Sequence, residues 1–370
     1  MTLAPIAIWS AGPLAADVRR FLERAARAPD VVRIAVMPDV HLAGDACVGT
    51  AIATRRTLRP ELLGSDLGCG VAAMSLGTSA ERVRDPRIAA RVLADLSRAV
   101  PTHRGPTRAL EGPPLSTSAL ERIRARDGAV QLGTLGRGNH FVELQEDEAD
   151  GALWLMVHSG SRALGPAIQE AHVARAPRDL ERFACLDADS DEGRAYLHDL
   201  DVALAYARAS RRIIADRVAE IVATHTHATP DSASWIECHH DAVARETHDG
   251  EPLWVHRKGA VPAHEGAPVL VPGSMGTSSH HAEGRGHAPA LASSAHGAGR
   301  ALTRGEARRR VSARELARQM DGVAYDTRMA AQLVEEAPSA YHDVKRVMRA
   351  QRELVRVLRT MRPVLVHKGA

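Results

Sequence analysis

Hydrophobic positions along the chain recur with two periods, one typical of helices and one typical of strands. Apolar residues spaced three to four apart predict an amphipathic helix over residues 13–28. A run of branched residues predicts a short buried strand over residues 31–37, and a glycine-punctuated strand is predicted over residues 48–53. Helical periodicity returns in four further segments: residues 80–100, residues 116–126, a long stretch ending near residue 223, and a basic stretch over residues 341–361. Periodicity therefore predicts a mixture of helices and strands.

Length and composition narrow the class of protein. With 370 residues, 45% of them hydrophobic and 25% charged, the chain can bury one large core or two ordinary ones. It lacks the run of about twenty apolar residues that a membrane helix needs, and its N-terminus lacks the pattern of a secretory signal. The four cysteines are few and scattered, which argues against a disulfide framework. We expect a soluble, cytoplasmic protein with no membrane partner.

Charge is distributed unevenly along the chain. The net charge is +3, but residues 300–370 contain sixteen Lys and Arg against eight Asp and Glu, which leaves the first 299 residues at −5. This asymmetry fits either a polyanion partner or a solvated helix face rich in arginine. Because aromatic residues make up only 3% of the chain, contacts with RNA would run mainly through phosphates.

The segment LLGSDLGCG, residues 62–70, holds the strongest candidate chemistry. Asp66 and Cys69 stand three residues apart in a turn bounded by glycines. A hard oxygen donor beside a soft sulfur donor suits a borderline divalent ion, and a thiolate can bridge two such ions. Because two donors do not complete a site, the remaining ligands are expected to be histidines from similar turns.

Two such histidines follow in the segments GTLGRGNHFVE and HSGSR. Asn139 offers an amide to a phosphate oxygen, His140 a metal ligand and Glu143 a hydrogen-bond acceptor. His158 ends an apolar strand and precedes Arg162 in a turn with the composition of an anion site.

The third candidate histidine lies in the segment CHHDAV. His239 and His240 cannot both face the same way on a strand, so at most one of them is expected to be a ligand.

Later segments add a candidate nucleophile and a nucleotide-binding loop. Lys258 follows a strand, and the loop PGSMG can hold a base or ribose through backbone contacts. In AHGAGR, small residues clear space around His296 near Arg300, which favours a reactive imidazole over a structural one. Lys368 follows the apolar segment PVLV, which could hold it inside the protein although a lysine so near the terminus is ordinarily solvated.

Two other segments allow more than one interpretation. Asp39 and His41 are expected in a loop after the strand at residues 31–37, either as a buried hydrogen-bonded pair or with a role beside a ligand or substrate. The segment at residues 101–114 is rich in Pro, Gly and Arg and is expected to be an exposed loop, which could equally contact substrate.

Taken in order, the motifs resemble the RtcB family of RNA ligases. They are MPDVH, SDLGCG, GTLGRGNHFVE, HSGSR, CHHDAV, HRKGA, PGSMGT, AHGAGR and a terminal KG, and they run from about residue 30 to the end. The resemblance implies one α+β domain over residues 1–370, with a mixed or antiparallel sheet core, surrounding helices and a central metal cleft.

The resemblance also implies a reaction. A ligase of this kind uses GTP and two Mn²⁺ ions to join an RNA end with a 2′,3′-cyclic phosphate or 3′-phosphate to a 5′-hydroxyl, in RNA repair or tRNA splicing. Its histidine nucleophile, here His296, carries GMP covalently as an intermediate.

The resemblance assigns roles to matching positions of this sequence. Cys69 would bridge the two ions. Asp66 and His140 would complete one metal site, and His158 and His240 the other. The matching GTP-binding positions are Asn139, Phe141, Glu143, Pro272, Gly273, Ser274, Met275, His296, Gly297, Ala298, Gly299 and Lys368. The matching RNA or phosphate contacts are Arg162, Lys258 and Arg300.

Three departures from the family pattern leave alternatives open. Asp241 stands where Asn is common, and would add negative charge near the phosphate unless it turns away or is protonated. His280 stands where Tyr is usual, and Ser210-Arg211 where Asn-Arg is common. The alternatives to an active ligase are a catalytically weak paralogue that binds RNA ends and a manganese phosphoesterase. The chain resembles the compact bacterial branch, so partners could include a release-factor-like protein or an archease-like activator.

Overall fold

Helices and strands alternate along the whole chain in the computed structural model, which describes residues 3–44 and 46–369. The strands are β1 (Ile6–Ile8), β2 (Val31–Ala43), β3 (Ala46–Thr54), β4 (Thr57–Leu58), β5 (Gly70–Ser79), β6 (Phe141–Asp147), β7 (Ala152–Ser159), β8 (Leu186–Asp187), β9 (Asp231–His239), β10 (Asp241–His248), β11 (Glu251–Lys258), β12 (Ala260–Pro262), β13 (Pro268–Val271), β14 (Ser279–Gly284), β15 (Ser293–Ala295), β16 (Ala324–Tyr325) and β17 (Val355–Lys368). The predicted α+β class is confirmed.

The helices lie mainly between and outside these strands. They are α1 (Ala16–Arg27), α2 (Pro60–Leu63), α3 (Glu81–Arg84), α4 (Pro86–Ala99), α5 (Ser118–Ile123), α6 (Ala129–Gln131), α7 (Leu164–Arg175), α8 (Asp191–Thr226), α9 (Arg304–Arg310), α10 (Ala313–Gln319), α11 (Ala330–Leu333) and α12 (Val344–Ala350). Among the described residues, no helix combines the length and apolar character needed to cross a bilayer.

Two large sheets form the centre of the molecule. One has the strand order β1-β2-β3-β11-β10, and the other has the order β13-β14-β17-β6-β7-β5-β9, with β16 beside β17. Most neighbouring strands are antiparallel, the exceptions being β1 with β2 and β16 with β17. The Cys238 thiol of β9 lies 3.1 Å from the Pro268 carbonyl oxygen of β13. The larger sheet is therefore nearly closed.

The sheets pack face to face, and helices cover their outer faces. Side chains of both sheets, among them Met37 and Met156, share one buried core. Helix α1 packs through Phe21 and Leu22 on the outer face of the smaller sheet. Helices α4 and α8 pack on the outer face of the larger sheet. This layering directs the ends of the central strands toward one cavity between the sheets.

Strand β2 continues further than the sequence predicted. Asp39 and His41 lie inside it and not in a loop after it, so that expectation is wrong. The pairing of β2 with β3 is irregular between Val36 and His41. Such an irregularity redirects side chains without ending a strand, which explains how Asp39 becomes fully buried beside the cavity.

The predicted basic helix over residues 341–361 is also wrong. Only α12 is helical there, and β17 begins at Val355. In this strand Arg356 and Arg359 pair with Glu283 of β14 and Asp147 of β6, and Arg362 pairs with Glu148 directly after β6. Pairing with β14 and β6 outweighs local helical periodicity in this segment.

Two predicted helices have different ends in the structure. The helix predicted over residues 80–100 divides into α3 and α4, because Pro86 starts a new helix capped by Asp85. The helix predicted over residues 116–126 is α5, and it continues through a π-helical turn at Arg124–Gly128 into α6. The segment at residues 101–114 contains no helix or strand, as predicted.

Candidate active site

Four of the five predicted metal ligands lie in, or directly beside, neighbouring strands of the larger sheet, and Asp66 lies in the turn before β5. Cys69 immediately precedes β5, His140 precedes β6, His158 lies in β7, and His240 separates β9 from β10. Pairing of β5 with β7 sets Gly70 opposite Ser159, and pairing with β9 sets it opposite His239. Strand register thus gathers residues that are distant in the sequence.

Their ligand atoms converge as two groups that share Cys69. The first ligand group is Asp66, Cys69 and His140; the second ligand group is Cys69, His158 and His240. Within each group the ligand atoms lie within 4.8 Å of one another. This spacing allows each group to hold one cation, with the sulfur common to both.

Individual distances show where the donor atoms point. The Cys69 sulfur lies 3.4 Å from His140 Nε2 and 3.2 Å from His158 Nε2. His158 Nε2 is 3.4 Å from His240 Nε2, and Asp66 Oδ2 is 3.0 Å from His140 Nε2. His158 Nδ1 lies 3.1 Å from the Asn139 carbonyl oxygen, so the ring can donate from Nδ1 and keep the Nε2 lone pair for a cation.

Protonation states at the second ligand group suit metal binding. Burial lowers the pKa of His158 and His240 well below the ordinary value, and neighbouring histidines add to the effect. Burial, with the nearby Asp66 carboxylate, raises the pKa of the Cys69 thiol. Neutral imidazoles are metal ligands, and a bound cation would hold the sulfur as a thiolate. The donor set therefore fits a first-row divalent cation.

Glycine is required where the ligand turns approach one another. A Cβ atom on Gly160 would lie 2.2 Å from Asp66 Oδ1, and one on Gly136 would lie 2.4 Å from His140 Nδ1. Gly136 also has a φ of +96°, which side chains disfavour. These positions explain physically why glycines flank the ligand motifs.

His296, the predicted nucleophile, lies beside the second ligand group. Its ring centroid is 4.7 Å from that of His240, and its Nδ1 is 2.6 Å from Asp39 Oδ2. Although burial favours the neutral ring, the Asp39 carboxylate raises the pKa of His296. With Nδ1 toward Asp39, the Nε2 atom is left on the opposite side of the ring. The Asp39 side chain therefore faces His296, while the His41 ring contacts the backbone carbonyl oxygen of Asp39.

Asp241 lines the cavity, and both of its carboxylate oxygens have partners within the protein. Its Oδ2 accepts from Lys258 Nζ at 2.5 Å, and its Oδ1 accepts from the Gly259 backbone N–H at 2.8 Å. Burial raises the pKa of Asp241, although Lys258 opposes the shift. The Asp241 carboxylate thus has hydrogen-bond partners within the protein. Both ligand groups are present although Asp stands where Asn is common in the family.

The other end of the cavity contains a chain of ion pairs. Glu336 accepts from Lys368 Nζ at 3.0 Å and from Arg300 Nη1 at 3.0 Å, and it also contacts the Tyr341 hydroxyl. The Lys368 ammonium lies 5.8 Å from the centre of the Phe141 ring. The terminal lysine is therefore buried and paired, and not solvated.

A cavity of about 380 Å³ joins the two ends. Eighteen of the twenty predicted site residues line it: Asp66, Cys69, Asn139, Phe141, Glu143, His158, His240, Lys258, Pro272, Gly273, Ser274, Met275, His296, Gly297, Ala298, Gly299, Arg300 and Lys368. His140 and Arg162 do not line it. They lie against each other, with Arg162 Nη1 3.3 Å from His140 Nδ1.

Sequence analysis missed several residues at the cavity. Arg304 and Tyr341 line it, and Glu336 connects Lys368 to Arg300. Glu336 lies in a short 3-10 turn, Val334–Glu336. No local sequence motif distinguishes this buried glutamate from glutamates at the surface. Arg304 begins α9, four residues after the AHGAGR motif ends. Its closeness to that motif could have identified it as a site residue.

Comparison with known proteins agrees with this arrangement. The sequence profile described as "tRNA-splicing ligase RtcB" matches residues 21–124 and 114–369. The chain belongs to the RtcB family. The chain is 35% identical to "RNA-splicing ligase RtcB" of Escherichia coli K12 over 99% of its own length and 98% of the relative.

Two further members of the RtcB family match at lower identity. Identity to "RNA-splicing ligase RtcB" of Mycobacterium tuberculosis is 30%, over 92% of this chain and 98% of that protein. Identity to "RNA-splicing ligase RtcB2" of Escherichia coli strain Seattle 1946 is 30%, over 94% of this chain and 91% of that protein. The resemblance predicted from the motifs is confirmed at the level of the family.

Proposed function

We propose that this RtcB-family protein is a GTP- and Mn²⁺-dependent ligase that joins RNA 2′,3′-cyclic phosphate or 3′-phosphate ends to 5′-hydroxyl ends. RNA ligation as a class follows from membership of the RtcB family. The finer chemistry rests mainly on one observation, the contact of His296 Nδ1 with Asp39 Oδ2 at 2.6 Å beside two groups of metal ligands.

His296 is the proposed nucleophile. Asp39 favours the Nδ1–H tautomer, which leaves the Nε2 lone pair available for attack. Nε2 bonds to the α-phosphorus of GTP as the bond to pyrophosphate breaks, so GMP becomes covalently attached to the ring. The Nδ1 proton stays with the Asp39 contact, which stabilises the positive charge that develops on the imidazole.

Two further displacements complete the reaction. An oxygen of the RNA 3′-phosphate attacks the phosphorus of the attached GMP, and His296 leaves as a neutral ring. The 5′-hydroxyl then attacks the activated 3′-phosphorus, GMP leaves, and a phosphodiester forms. A 2′,3′-cyclic phosphate first takes up water to give the 3′-phosphate. No outside oxidant or reductant is required.

The two ligand groups would hold the metal ions. Asp66, Cys69 and His140 would bind one ion, and Cys69, His158 and His240 the other. The ions would supply positive charge to the phosphates in transit. The oxygen, sulfur and nitrogen donors suit a first-row divalent cation, and the choice of Mn²⁺ comes from the family resemblance.

The nucleotide would occupy the end of the cavity near Phe141 and Lys368. Glu143 is 97% buried and would accept hydrogen bonds from guanine N–H groups. Ser274, within the loop formed by Pro272, Gly273 and Met275, would contact the ribose, while Asn139 and the turn at Gly297, Ala298 and Gly299 would lie along the phosphates. Lys258 and Arg300 line the cavity and are proposed to face RNA phosphates, with Arg162 behind His140.

The biological setting is part of the same proposal. A reducing compartment such as the cytoplasm suits a site that depends on the Cys69 thiolate. We propose that residues 1–370 act as a single ligase domain on tRNA or another cleaved RNA. An archease-like activator or a release-factor-like protein is a candidate partner.

Labelling with α-³²P-GTP tests the proposed nucleophile. Purified protein, stripped of nucleotide and reloaded with Mn²⁺, is expected to acquire an acid-labile label that survives denaturing electrophoresis. His296→Ala is expected to lose the label and ligation while retaining bound metal. His264→Ala is the matched control, because that histidine side chain is 51% exposed and lies outside the cavity lining.

The outcomes separate the alternatives. Label on His296→Ala would contradict the proposed nucleophile. RNA binding without label or sealing, even with an archease-like activator present, would favour the binding paralogue. Phosphate release from RNA ends that persists in His296→Ala would favour a manganese phosphoesterase, since hydrolysis at the metal ions has no need of this histidine.

A further inference from the structure

The side chain of Arg211 is fully buried in α8, directly behind the metal ligands. We propose that Arg211 is a positioning residue that organises the second ligand group, Cys69, His158 and His240. This inference rests on the proposed metal site. It adds a residue that neither lines the cavity nor belongs to either ligand group.

The Arg211 guanidinium contacts three separate segments. Its Nη1 donates to the Gly68 carbonyl oxygen at 2.9 Å and to the Ser159 carbonyl oxygen at 2.7 Å. Its Nε donates to Glu237 Oε1 at 2.7 Å. A planar guanidinium with donors in a fixed fork holds its acceptors at defined distances and angles.

Two of these acceptors adjoin a member of the second ligand group in the chain. Gly68 precedes Cys69, and Ser159 follows His158. The backbone position of each ligand is therefore tied to the same side chain.

The third acceptor connects Arg211 to His240. Glu237 lies in β9, which ends directly before His240. The His240 backbone N–H donates to the Cys69 carbonyl oxygen at 2.9 Å, which joins the two ligand segments. By contrast, among the described residues Arg211 makes no hydrogen bond to Asp66, His140 or the residues next to them in the chain. Because Cys69 belongs to both groups while His158 and His240 belong only to the second, the influence of Arg211 falls mainly on the second ligand group.

The Arg211 side chain packs tightly against the strands around it. A Cβ atom on Gly70 would lie 3.2 Å from Arg211 Cζ and 2.4 Å from the Cys238 carbonyl oxygen. The guanidinium therefore packs directly against the first residue of β5. The charge of Arg211 is balanced by its ion pair with Glu237, so the proposed role is to hold these segments in place.

Metal titration of Arg211→Met tests this role. The protein stripped of metal is titrated with Mn²⁺ and, separately, with Co²⁺, whose absorption spectrum reports thiolate and imidazole ligands. The wild type is expected to bind two ions. Arg211→Met is expected to bind one ion about 10- to 100-fold more weakly than the wild type, the range typical when a group that orients metal ligands is removed. The affinity for the other ion, which shares only Cys69 with the second ligand group, is expected to fall by clearly less.

Two variants control for folding and for charge. Arg211→Lys keeps the charge but loses the fork, and is expected to show a smaller loss at the same ion. Arg212→Met is the matched control on the same helix, because the Arg212 side chain is 43% exposed and pairs with Asp216. It is expected to bind both ions with unchanged affinity.

The results distinguish this inference from the proposed metal site. A wild type that binds fewer than two ions would overturn the proposed site itself. Two ions bound with unchanged affinity by folded Arg211→Met, with a lower melting temperature as the one change, would show a purely structural role. If Arg211→Met does not fold, unchanged affinities in Arg211→Lys would overturn the inference, and selective weakening of one ion would support it.

Discussion

The two ends of the cavity are built in different ways. At the metal-ligand end, Cys69, His158 and His240 stand on neighbouring strands, and strand register brings them together. At the other end, where we propose that GTP binds and which is called the nucleotide end below, Lys368 and Glu336 come from distant segments and are held by an ion pair. One end is organised by the backbone, and the other by pairing of side-chain charges.

The electrostatic balance of the two ends also differs. At the metal-ligand end, atoms with lone pairs face one another, an arrangement that a shared cation stabilises. At the nucleotide end, opposite charges already satisfy one another before any ligand binds. The first end should therefore respond mainly to loss of metal, and the second mainly to loss of a charge partner.

Removing the shared sulfur should have the largest effect. Cys69→Ala deletes a donor from both ligand groups, so we expect loss of both bound ions and of GTP-dependent labelling. Metal content by mass spectrometry and labelling with α-³²P-GTP measure these losses. Cys47→Ala is the control, because Cys47 is buried in the core beneath α1 and belongs to neither group. Two ions retained by Cys69→Ala would refute a bridging sulfur.

Removing the central carboxylate of the nucleotide end should have an intermediate effect. The Lys368 ammonium, opposing the effect of burial, lowers the pKa of Glu336 to about 2. Glu336→Gln leaves Lys368 and Arg300 without their anion, so we expect the free energy of unfolding to fall by about 3 kcal/mol and GTP to bind more weakly. Urea unfolding and calorimetry measure these changes.

The neighbouring Glu335 supplies the control for this comparison. Its side chain is 22% exposed and pairs with Arg308 at the surface. Glu335→Gln should therefore change stability by less than about 1 kcal/mol. Equal effects of the two substitutions would mean that the buried ion pairs do not organise the nucleotide end.

Replacing Glu143 should have no effect near pH 4 and an effect on stability that grows as the pH rises. Burial raises the pKa of Glu143 to about 8, although Gln145 donates to it at 2.6 Å. Between the ordinary carboxyl pKa and about pH 8, the folded state holds a proton that the unfolded state has released. The free energy of unfolding of the wild type should therefore fall as pH rises through this range.

Melting temperatures across this pH range provide the measurement. Glu143→Gln lacks the titration, so its melting temperature should match the wild type near pH 4 and exceed it at pH 8 and above. Parallel curves for the two proteins would show that the carboxyl group is not held neutral by burial.

More of the metal-ligand end than of the nucleotide end could be predicted from the sequence. Asp66 and Cys69 stand in a glycine-rich turn, and His158 lies two residues before Gly160, where the structure shows the close approach that glycine permits. Their division into two groups came from the family resemblance and not from spacing. Lys368 was also placed by the resemblance, while its partner Glu336 was missed because an ion pair across 32 residues leaves no local pattern.

Two errors in the predicted secondary structure have the same physical cause. Local periodicity predicted a helix at residues 341–361, but pairing with two strands made residues 355–368 the strand β17. A loop was predicted at Asp39, but β2 passes through it with an irregular register. In both cases interactions distant in sequence overrode the local signal, and these were also the segments that contribute to the cavity.

The position of β17 has a consequence for synthesis of the protein. In the larger sheet β17 lies between β14 and β6. Without β17, neither of these strands has a neighbour to pair with on that side. While a ribosome is still making the chain, β14 and β6 both present open edges until residues 355–368 emerge. The same step delivers Lys368 to the cavity. The larger sheet and the nucleotide end are thus completed together, after the other strands have been synthesised.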